Sequence, residues 1–172
     1  MAAGFAQAAG GYTSLEYYNE NNRVTGADNI KEALVVGTKD GATDYSIKME
    51  NSQASFGNGS ISQGLEVRVK QSFGPIYVGG RLGEKVSSTE SFSHYAIDAG
   101  VKFPLVAGLT GDVGGRYRNA FESGHEFQSN RAHAMVSFAV TDHDSVGVRY
   151  SRAYGDDSEA KNAWRLSYTR SF

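Results

Sequence analysis

The sequence has no cysteine, only two prolines, and no dominant sign of charge among its 172 residues. The absence of cysteine excludes disulfides and thiolate chemistry, which suits passage through an oxidising periplasm without locating the protein. Seventeen basic and 19 acidic residues give a net charge of −2, so nothing points to a nucleic-acid partner. The length fits one domain.

The sequence also lacks any run of about 18 apolar residues, which excludes a transmembrane helix. With 40% hydrophobic residues and a mean hydropathy of −0.43, an average over the chain describes a soluble protein. Such averages fail for transmembrane β-barrels, because apolar and polar residues alternate along each strand and cancel. A membrane protein that crosses with strands therefore stays possible.

The first ten residues are predicted to lie outside the domain, which covers residues 11–172. They lack the charged and apolar segments of a whole signal peptide. The triplet Ala6, Gln7 and Ala8 resembles a signal-peptidase site, so residues 1–10 are either a signal-peptide remnant or a flexible tail.

Alternation with a period of two recurs along the whole chain and predicts strands. Between Tyr95 and Phe103, one face carries Tyr95, Ile97, Ala99, Val101 and Phe103. Aromatic residues at both ends of an apolar face are typical of a strand that crosses a bilayer between two aromatic girdles. Ten strands are predicted, at 11–20, 30–38, 43–51, 61–72, 76–85, 93–103, 108–119, 131–141, 145–154 and 161–172. Residues 30–38 fit two registers.

The connections between these strands alternate in length. Short ones are predicted at 39–42, 73–75, 104–107 and 142–144, and longer polar ones at 21–29, 53–60, 86–92, 120–130 and 155–160. Short turns at one rim and longer loops at the other are typical of outer-membrane barrels. The predicted fold is therefore a closed antiparallel up-and-down β-barrel of about ten strands.

A soluble barrel of the lipocalin type is the alternative, because it shows the same alternation with the apolar face inside. The aromatic ends of the apolar faces and the absence of helical patterns favour the membrane version. So do Gly80, Gly111 and Gly115 on the apolar faces, since glycines pack an interior poorly. These glycines would form an oligomer interface or a lipid groove, or would simply permit strand curvature.

The chain ends with residues 164–172, WRLSYTRSF, in which aromatic residues alternate up to the terminal Phe172. This segment resembles the C-terminal signature of Gram-negative outer-membrane barrels, which the barrel-assembly machinery recognises. A narrower resemblance links residues 17–23 (YYNENNR) and 115–119 (GRYRN) to the small oligogalacturonate-specific porins. Those porins are twelve-stranded, whereas ten strands are predicted here.

Thirteen charged residues on the polar faces of the strands are predicted to line the lumen. The basic ones are Lys48, Arg68, Lys70, Arg81, Lys102, Arg116, Arg118, Arg149 and Arg165, and the acidic ones are Glu50, Glu66, Asp98 and Asp112. Glu16 adds a further carboxylate. Either these charges compensate one another in a filled lumen, or their basic excess lines a narrow pore that favours anions. Inward glycines at 79, 83, 100 and 114 are expected to leave some space.

Enzymatic chemistry finds little support in the sequence. The four histidines, at positions 94, 125, 133 and 143, show no metal-ligand spacing, and Asp142, His143 and Asp144 are ordinary turn residues. No cofactor or metal is predicted. The acidic residues 156, 157 and 159 are read as a solvated loop, with a divalent-ion or lipopolysaccharide bridge as the alternative.

Three functions follow in order. The first is a small outer-membrane porin for passive diffusion of polar, especially anionic, solutes. The second is a closed structural or surface-interaction barrel without conductance, and the third is an outer-membrane hydrolase. The expected location is the bacterial outer membrane. The expected partners are its lipid and lipopolysaccharide, the assembly machinery through Phe172, and a small anionic solute.

Overall fold

The computed structural model describes residues 10–23, 26–54, 61–88, 90–123, 128–155 and 160–172. These residues confirm the ten predicted strands. The strands are β1 (Gly10–Asn22), β2 (Asp28–Asp40), β3 (Thr43–Ala54), β4 (Ile61–Phe73), β5 (Ile76–Ser87), β6 (Ser91–Val106), β7 (Leu109–Ala120), β8 (Ser129–Ala139), β9 (Asp144–Gly155) and β10 (Ala160–Ser171). Within the described residues, no helix is long and apolar enough to cross a membrane.

Each strand pairs antiparallel with its neighbours in the chain, and β1 pairs with β10 to close the barrel. A path of paired residues that starts at Lys102 on β6 and passes once round the barrel returns at Glu90, which immediately precedes β6 and lies twelve residues before Lys102. This shift tilts the strands against the barrel axis, as closure of a sheet requires. Residues that share a height in the lumen therefore come from distant parts of the chain.

Several strands extend about two residues further toward the long connections than predicted. β1 ends at Asn22 and β5 at Ser87, while β6 begins at Ser91. The extension of β1 carries asparagine on both faces, so the alternation that marks a strand inside a bilayer is missing from it. The connection between β5 and β6 shortens to residues 88–90.

Two strand ends at the opposite rim were predicted wrongly. β6 continues past Pro104 to Val106, and the register shifts between these two residues. A proline is tolerated there because the irregular pairing does not require its missing N–H. β8 ends at Ala139, so Val140 and Thr141 belong to the following turn.

The short turns use two different devices to reverse the chain. Gly41 and Gly74 adopt φ values of 57° and 62°, which a side chain would strain. The turn before β9 instead uses the Thr141 hydroxyl, which accepts the backbone N–H of Asp144 at 2.9 Å. The start of β1 and the end of β10 both lie at this rim, where the Phe172 N–H donates to the Gly11 carbonyl at 2.9 Å.

The outer surface of the barrel is apolar. Leu15, Leu82 and Trp164 are exposed by 60%, 60% and 58%, and none of the large side chains described is fully buried. Aromatic residues border this apolar band on both sides. Toward the long connections they are Tyr17, Tyr95, Tyr117, Tyr150 and Trp164, and toward the short turns Tyr45, Phe73, Phe103, Phe138, Tyr168 and Phe172. A band of this kind suits the hydrocarbon layer of a bilayer between its interfaces.

The interior is polar, which is the reverse of a soluble barrel. Lys48, Asp98, His133 and Arg165 are among the most buried residues, although they are charged or polar. A lipocalin-type barrel would bury the apolar face and expose the charged one. The arrangement therefore excludes the soluble alternative and confirms a closed transmembrane barrel.

The register of β2, which the sequence left open, follows from its partners. Ala33 and Val35 point inward and are buried, whereas Leu34 and Val36 point outward. Both faces of this strand carry aliphatic residues, so alternation alone could not choose between them. Pairing of Leu15 with Leu34 on the outer face settles the choice.

Candidate functional site

The inward face of the barrel carries a large excess of positive charge. In the part of the chain that the structure describes, fourteen cations but only seven carboxylates alternate onto this face. The cations are Lys31, Lys39, Lys48, Arg68, Lys70, Arg81, Lys85, Lys102, Arg116, Arg118, Arg131, Arg149, Lys161 and Arg165. The carboxylates are Glu16, Glu20, Asp44, Glu50, Glu66, Asp98 and Asp112. Because the whole chain has a net charge of −2, the outer surface and connections carry the opposite excess.

All thirteen residues predicted to line the lumen lie on this inward face. Their role in conduction stays a prediction. Five inward cations and the carboxylates of Glu20 and Asp44 were not predicted. Lys31 and Lys39 escaped because the register of β2 was open, while Lys85, Arg131 and Lys161 lie at strand ends. The parity of those last three positions matches that of inward residues on the same strands, and this signal would have found them.

Nine of these residues form a layer of ion pairs at mid-height, here called the ion-pair belt. Its cations are Lys48, Arg68, Arg81, Arg116 and Arg165, and its carboxylates are Glu16, Glu50, Glu66 and Asp98. One chain of contacts crosses the seam between the first and last strands. Arg165 donates to Glu16 at 2.7 Å, Lys48 lies 3.3 Å from Glu16, and Lys48 also lies 2.6 Å from Glu50.

A second chain of contacts covers the opposite wall. Glu66 accepts from Arg68 at 2.9 Å and from Arg81 at 3.3 Å. Arg81 also binds Asp98, which accepts from Arg116 at 2.7 Å. Every charge of the belt therefore has an opposite charge beside it, as buried ions require. The paired side chains of the belt occupy part of the lumen and constrict it at mid-height.

A cavity of about 440 Å³ lies between the belt and the short-turn rim. It is here called the vestibule. Five belt residues reach its lining, namely Glu16, Arg68, Arg81, Asp98 and Arg165, and its other charged residues are Lys39, Asp44, Lys70, Lys102, Asp112 and Arg149. Hydroxyl groups line much of the remaining wall, among them those of Ser14, Ser137, Ser145, Ser167 and Thr169. In outer-membrane barrels the short turns face the periplasm, which makes this the periplasmic half of the lumen.

The two carboxylates of the vestibule receive their hydrogen bonds largely from uncharged donors. Tyr12 donates to Asp44 at 2.7 Å, and Tyr77 donates to Asp112 at 3.0 Å. His133 Nε2 lies 2.9 Å from the same oxygen of Asp112. Lys70 also reaches Asp44, at 3.3 Å. Negative charge is therefore held in place here mostly by tyrosine and histidine rather than by lysine.

The glycines that were expected to leave space in the lumen do not do so. A side chain at Gly100 or Gly114 would collide with the Tyr77 hydroxyl, and one at Gly83 would meet the His94 ring. Gly37 lies in the same way beneath the Tyr12 ring. These glycines make room for the inward tyrosines and histidine, so the expectation of extra lumen space at Gly83, Gly100 and Gly114 was wrong.

Two cations of the vestibule have no carboxylate within ion-pair distance among the described residues. Among the described residues, neither Lys102 nor Arg149 forms an ion pair, and the Arg149 Nε atom has no hydrogen-bond partner. The Lys102 ammonium lies 6.0 Å from the centre of the Tyr77 ring, and the Lys70 ammonium lies 5.6 Å from the same centre. Two ammonium groups thus lie near one aromatic ring.

The opposite end of the lumen, here called the mouth, is also basic. Its inward cations are Lys31, Lys85, Arg118, Arg131 and Lys161. Its inward carboxylate among the described residues is Glu20, and Glu90 and Glu122 lie in the connections at the same rim. Glu20 lies 2.9 Å from Arg131 and 3.3 Å from Lys31. A nearly neutral belt therefore separates two basic compartments.

The histidines and acidic residues offer no metal site in the described part of the chain. His94 lies 3.4 Å from Glu66 and His133 binds Asp112, so both belong to the lumen networks. His143 lies in the turn before β9. His125, the acidic loop 156–159 and residues 1–9 fall outside the described residues.

On the outer face, the three glycines occupy different surroundings. The Phe103 ring covers Gly111, while nothing lies within 4 Å of a side chain placed at Gly80. A ring laid over a glycine of the neighbouring strand is a known way to stabilise a curved sheet. At Gly111 this observation favours the curvature interpretation.

No family model matches the chain, and no curated protein sequence matches it. Solved structures do match the chain. The β domain of the Bordetella autotransporter BrkA has a TM-score of 0.54 at 13% identity, covering 96% of this chain and 100% of that one. The translocator domain of the autotransporter NalP from Neisseria meningitidis has a TM-score of 0.54 at 11% identity, covering 95% of this chain and 88% of that one.

The fold is thus that of bacterial outer-membrane β-barrels, and the predicted location is consistent with this fold and with the apolar band. A KdgM porin in complex with oligogalacturonate is also similar, with a TM-score of 0.47 at 11% identity over 92% of this chain and 99% of that one. A likeness of this degree carries no argument about what this barrel passes or binds.

Proposed function

We propose that this barrel is a narrow diffusion pore that favours small anions. The observation that carries the proposal is the charge of the lumen, where fourteen described cations face seven carboxylates. A lumen whose charges are purely structural would pair each cation with a carboxylate, whereas Lys102 and Arg149 line this lumen with no ion-pair partner among the described residues. A basic lumen of this kind favours the entry of anions from solution.

The arrangement of the charges along the axis supports the same proposal. The mouth and the vestibule attract anions from the two sides of the membrane, and the belt between them selects by size. Barrels of eight strands are filled by their own side chains and those of sixteen leave a wide channel, so ten strands agree with a constricted path. The proposed solutes are therefore small, and no reaction takes place on them.

The test is single-channel conductance of the refolded protein in a planar bilayer under a salt gradient. The wild type should give a reversal potential of the sign that anion preference requires. The variant carrying both Arg116→Ala and Arg149→Ala should shift that potential toward zero, since both cations face the lumen. Arg152→Ala removes one charge from the outer face and serves as the control. An unchanged reversal potential in the double variant would contradict the proposal.

A second candidate is a closed barrel that conducts nothing and binds a partner. The belt favours it, because the side chains of Glu16, Lys48 and Arg165 are exposed by only 7%, 6% and 10%. Electrical silence of a protein whose folded form is confirmed by a heat-modifiable gel band would support this candidate. For either function we propose that the assembly machinery recognises the C-terminal strand through Phe172, whose side chain is 70% exposed on the outer face.

A further inference from the structure

We infer that the vestibule is a binding site for a small, multiply charged oxyanion such as phosphate or sulfate. This inference rests on the proposed anion pore, for which the vestibule would be the selective site. It names the class of solute and the residues that hold it. Binding in the vestibule does not require the ion to cross the belt, so the two proposals can be tested apart.

The charges of the vestibule provide the first argument. Lys102 on β6 and Arg149 on β9 project into the cavity without an ion-pair partner among the described residues. Tyr77 and His133 are hydrogen-bonded to one oxygen of Asp112, and neither Lys102 nor Arg149 forms an ion pair with this carboxylate. A ligand with two negative charges would match the two unpaired cations.

The chemistry of the wall provides the second argument. Lysine and arginine donors converge from several strands, and serine and threonine hydroxyls lie on the wall formed by β8, β9, β10 and β1. Several directed donors suit an oxyanion, which has several acceptor oxygens, better than chloride. The volume of about 440 Å³ accommodates such an ion together with water.

The rigidity of the site provides the third argument. The Tyr77 ring is held between its hydrogen bond to Asp112 and the surfaces of Gly100 and Gly114. The Lys70 and Lys102 ammonium groups lie 5.6 and 6.0 Å from the centre of this ring, so the ring fixes the space in which both operate. Lys70 is paired with Asp44 at 3.3 Å, which leaves Lys102 as the ammonium group available to a bound oxyanion.

The experiment is calorimetric titration of the refolded, detergent-solubilised full chain with inorganic phosphate and with sulfate. Chloride at matched ionic strength is the reference, because screening weakens all such interactions equally. The wild type should bind both oxyanions saturably and chloride weakly. Lys102→Gln should weaken phosphate binding on the order of tenfold, as expected for the loss of one charge-assisted hydrogen bond.

Two further variants control for charge and for folding. Lys102→Arg keeps the charge and should keep binding, and Arg152→Gln removes a cation from the outer face and should have no effect. A heat-modifiable gel band confirms that each variant has folded. Equal phosphate affinity in Lys102→Gln and the wild type, or no phosphate binding by the folded wild type, would overturn the inference.

Conductance measurements on the same preparations separate this inference from the proposed function. Anion-selective conductance without phosphate binding would support the pore and contradict the vestibule site. Phosphate binding without conductance would support a vestibule site in a closed barrel and contradict the pore.

Discussion

The ion-pair belt and the vestibule contain the same kinds of charged residue, but the carboxylates in the two regions have different partners. In the belt, Glu16 and Asp98 each contact two cations. In the vestibule, Asp112 binds a tyrosine and a histidine, and Lys102 beside it has no described ion-pair partner. A count of charges would treat these regions alike. The contacts show that the charges of the belt are paired with one another, whereas Lys102 and Arg149 in the vestibule have no ion-pair partner among the described residues.

The largest expected effect would come from breaking the belt. Glu16→Gln leaves the buried Arg165 and Lys48 without the carboxylate between them, and should lower the free energy of unfolding by about 3 kcal/mol. Urea unfolding in lipid vesicles, followed by the fluorescence of the single tryptophan, Trp164, measures this loss. Glu84→Gln on the outer face should change little. Equal midpoints for the two variants would show that the belt does not stabilise the barrel.

A smaller effect is expected from the glycines that support the vestibule. A side chain at Gly114 would lie 2.6 Å from the carbonyl oxygen of Ala99 and 2.8 Å from the Tyr77 hydroxyl. Gly114→Ala should therefore cost about 1–3 kcal/mol, because the backbone has to move. Gly80→Ala, with nothing within 4 Å, is the matched control and should be tolerated. The same unfolding assay compares them, and a tolerated Gly114→Ala would show that Tyr77 is not held as tightly as its contacts indicate.

The smallest effect concerns the partners of Asp112. Tyr77→Phe removes a donor, so Asp112 becomes available to Lys102 and phosphate affinity should fall by about threefold, or ~0.6 kcal/mol. Asp112→Asn removes the competing carboxylate and should raise the affinity by a similar factor. Calorimetric titration with phosphate measures both, and Tyr95→Phe on the outer face is the control. Shifts in the same direction in both variants would contradict the role assigned to Asp112.

Much of the fold was predictable because alternation reports which face of a strand meets lipid. Prediction from alternation failed where contact with lipid does not determine the pattern of residues. The end of β1 near the long connections carries polar residues on both faces, and β2 carries aliphatic residues on both. β6 continues through Pro104 because its pairing shifts there, and no local pattern announces such a shift.

The site was predictable only in part. Parity identified inward residues such as Arg68 and Asp98, but not their partners. Arg165 meets Glu16 across 149 residues of sequence, a contact set by the register of the closed sheet. The prediction of free lumen space at the inward glycines was wrong for the same reason, because only the register shows that Tyr77 lies over Gly100 and Gly114.

The contact between Arg165 and Glu16 also bears on the order of events during biogenesis. It joins the first strand to the last, so it forms only once the whole chain has been synthesised and its two ends have met. Before that moment, an open sheet exposes the belt charges and two unpaired strand edges, neither of which hydrocarbon tolerates. Insertion into the bilayer and closure of the sheet must therefore proceed together. A chain truncated before β10 cannot close the sheet and is therefore not stable in the membrane core.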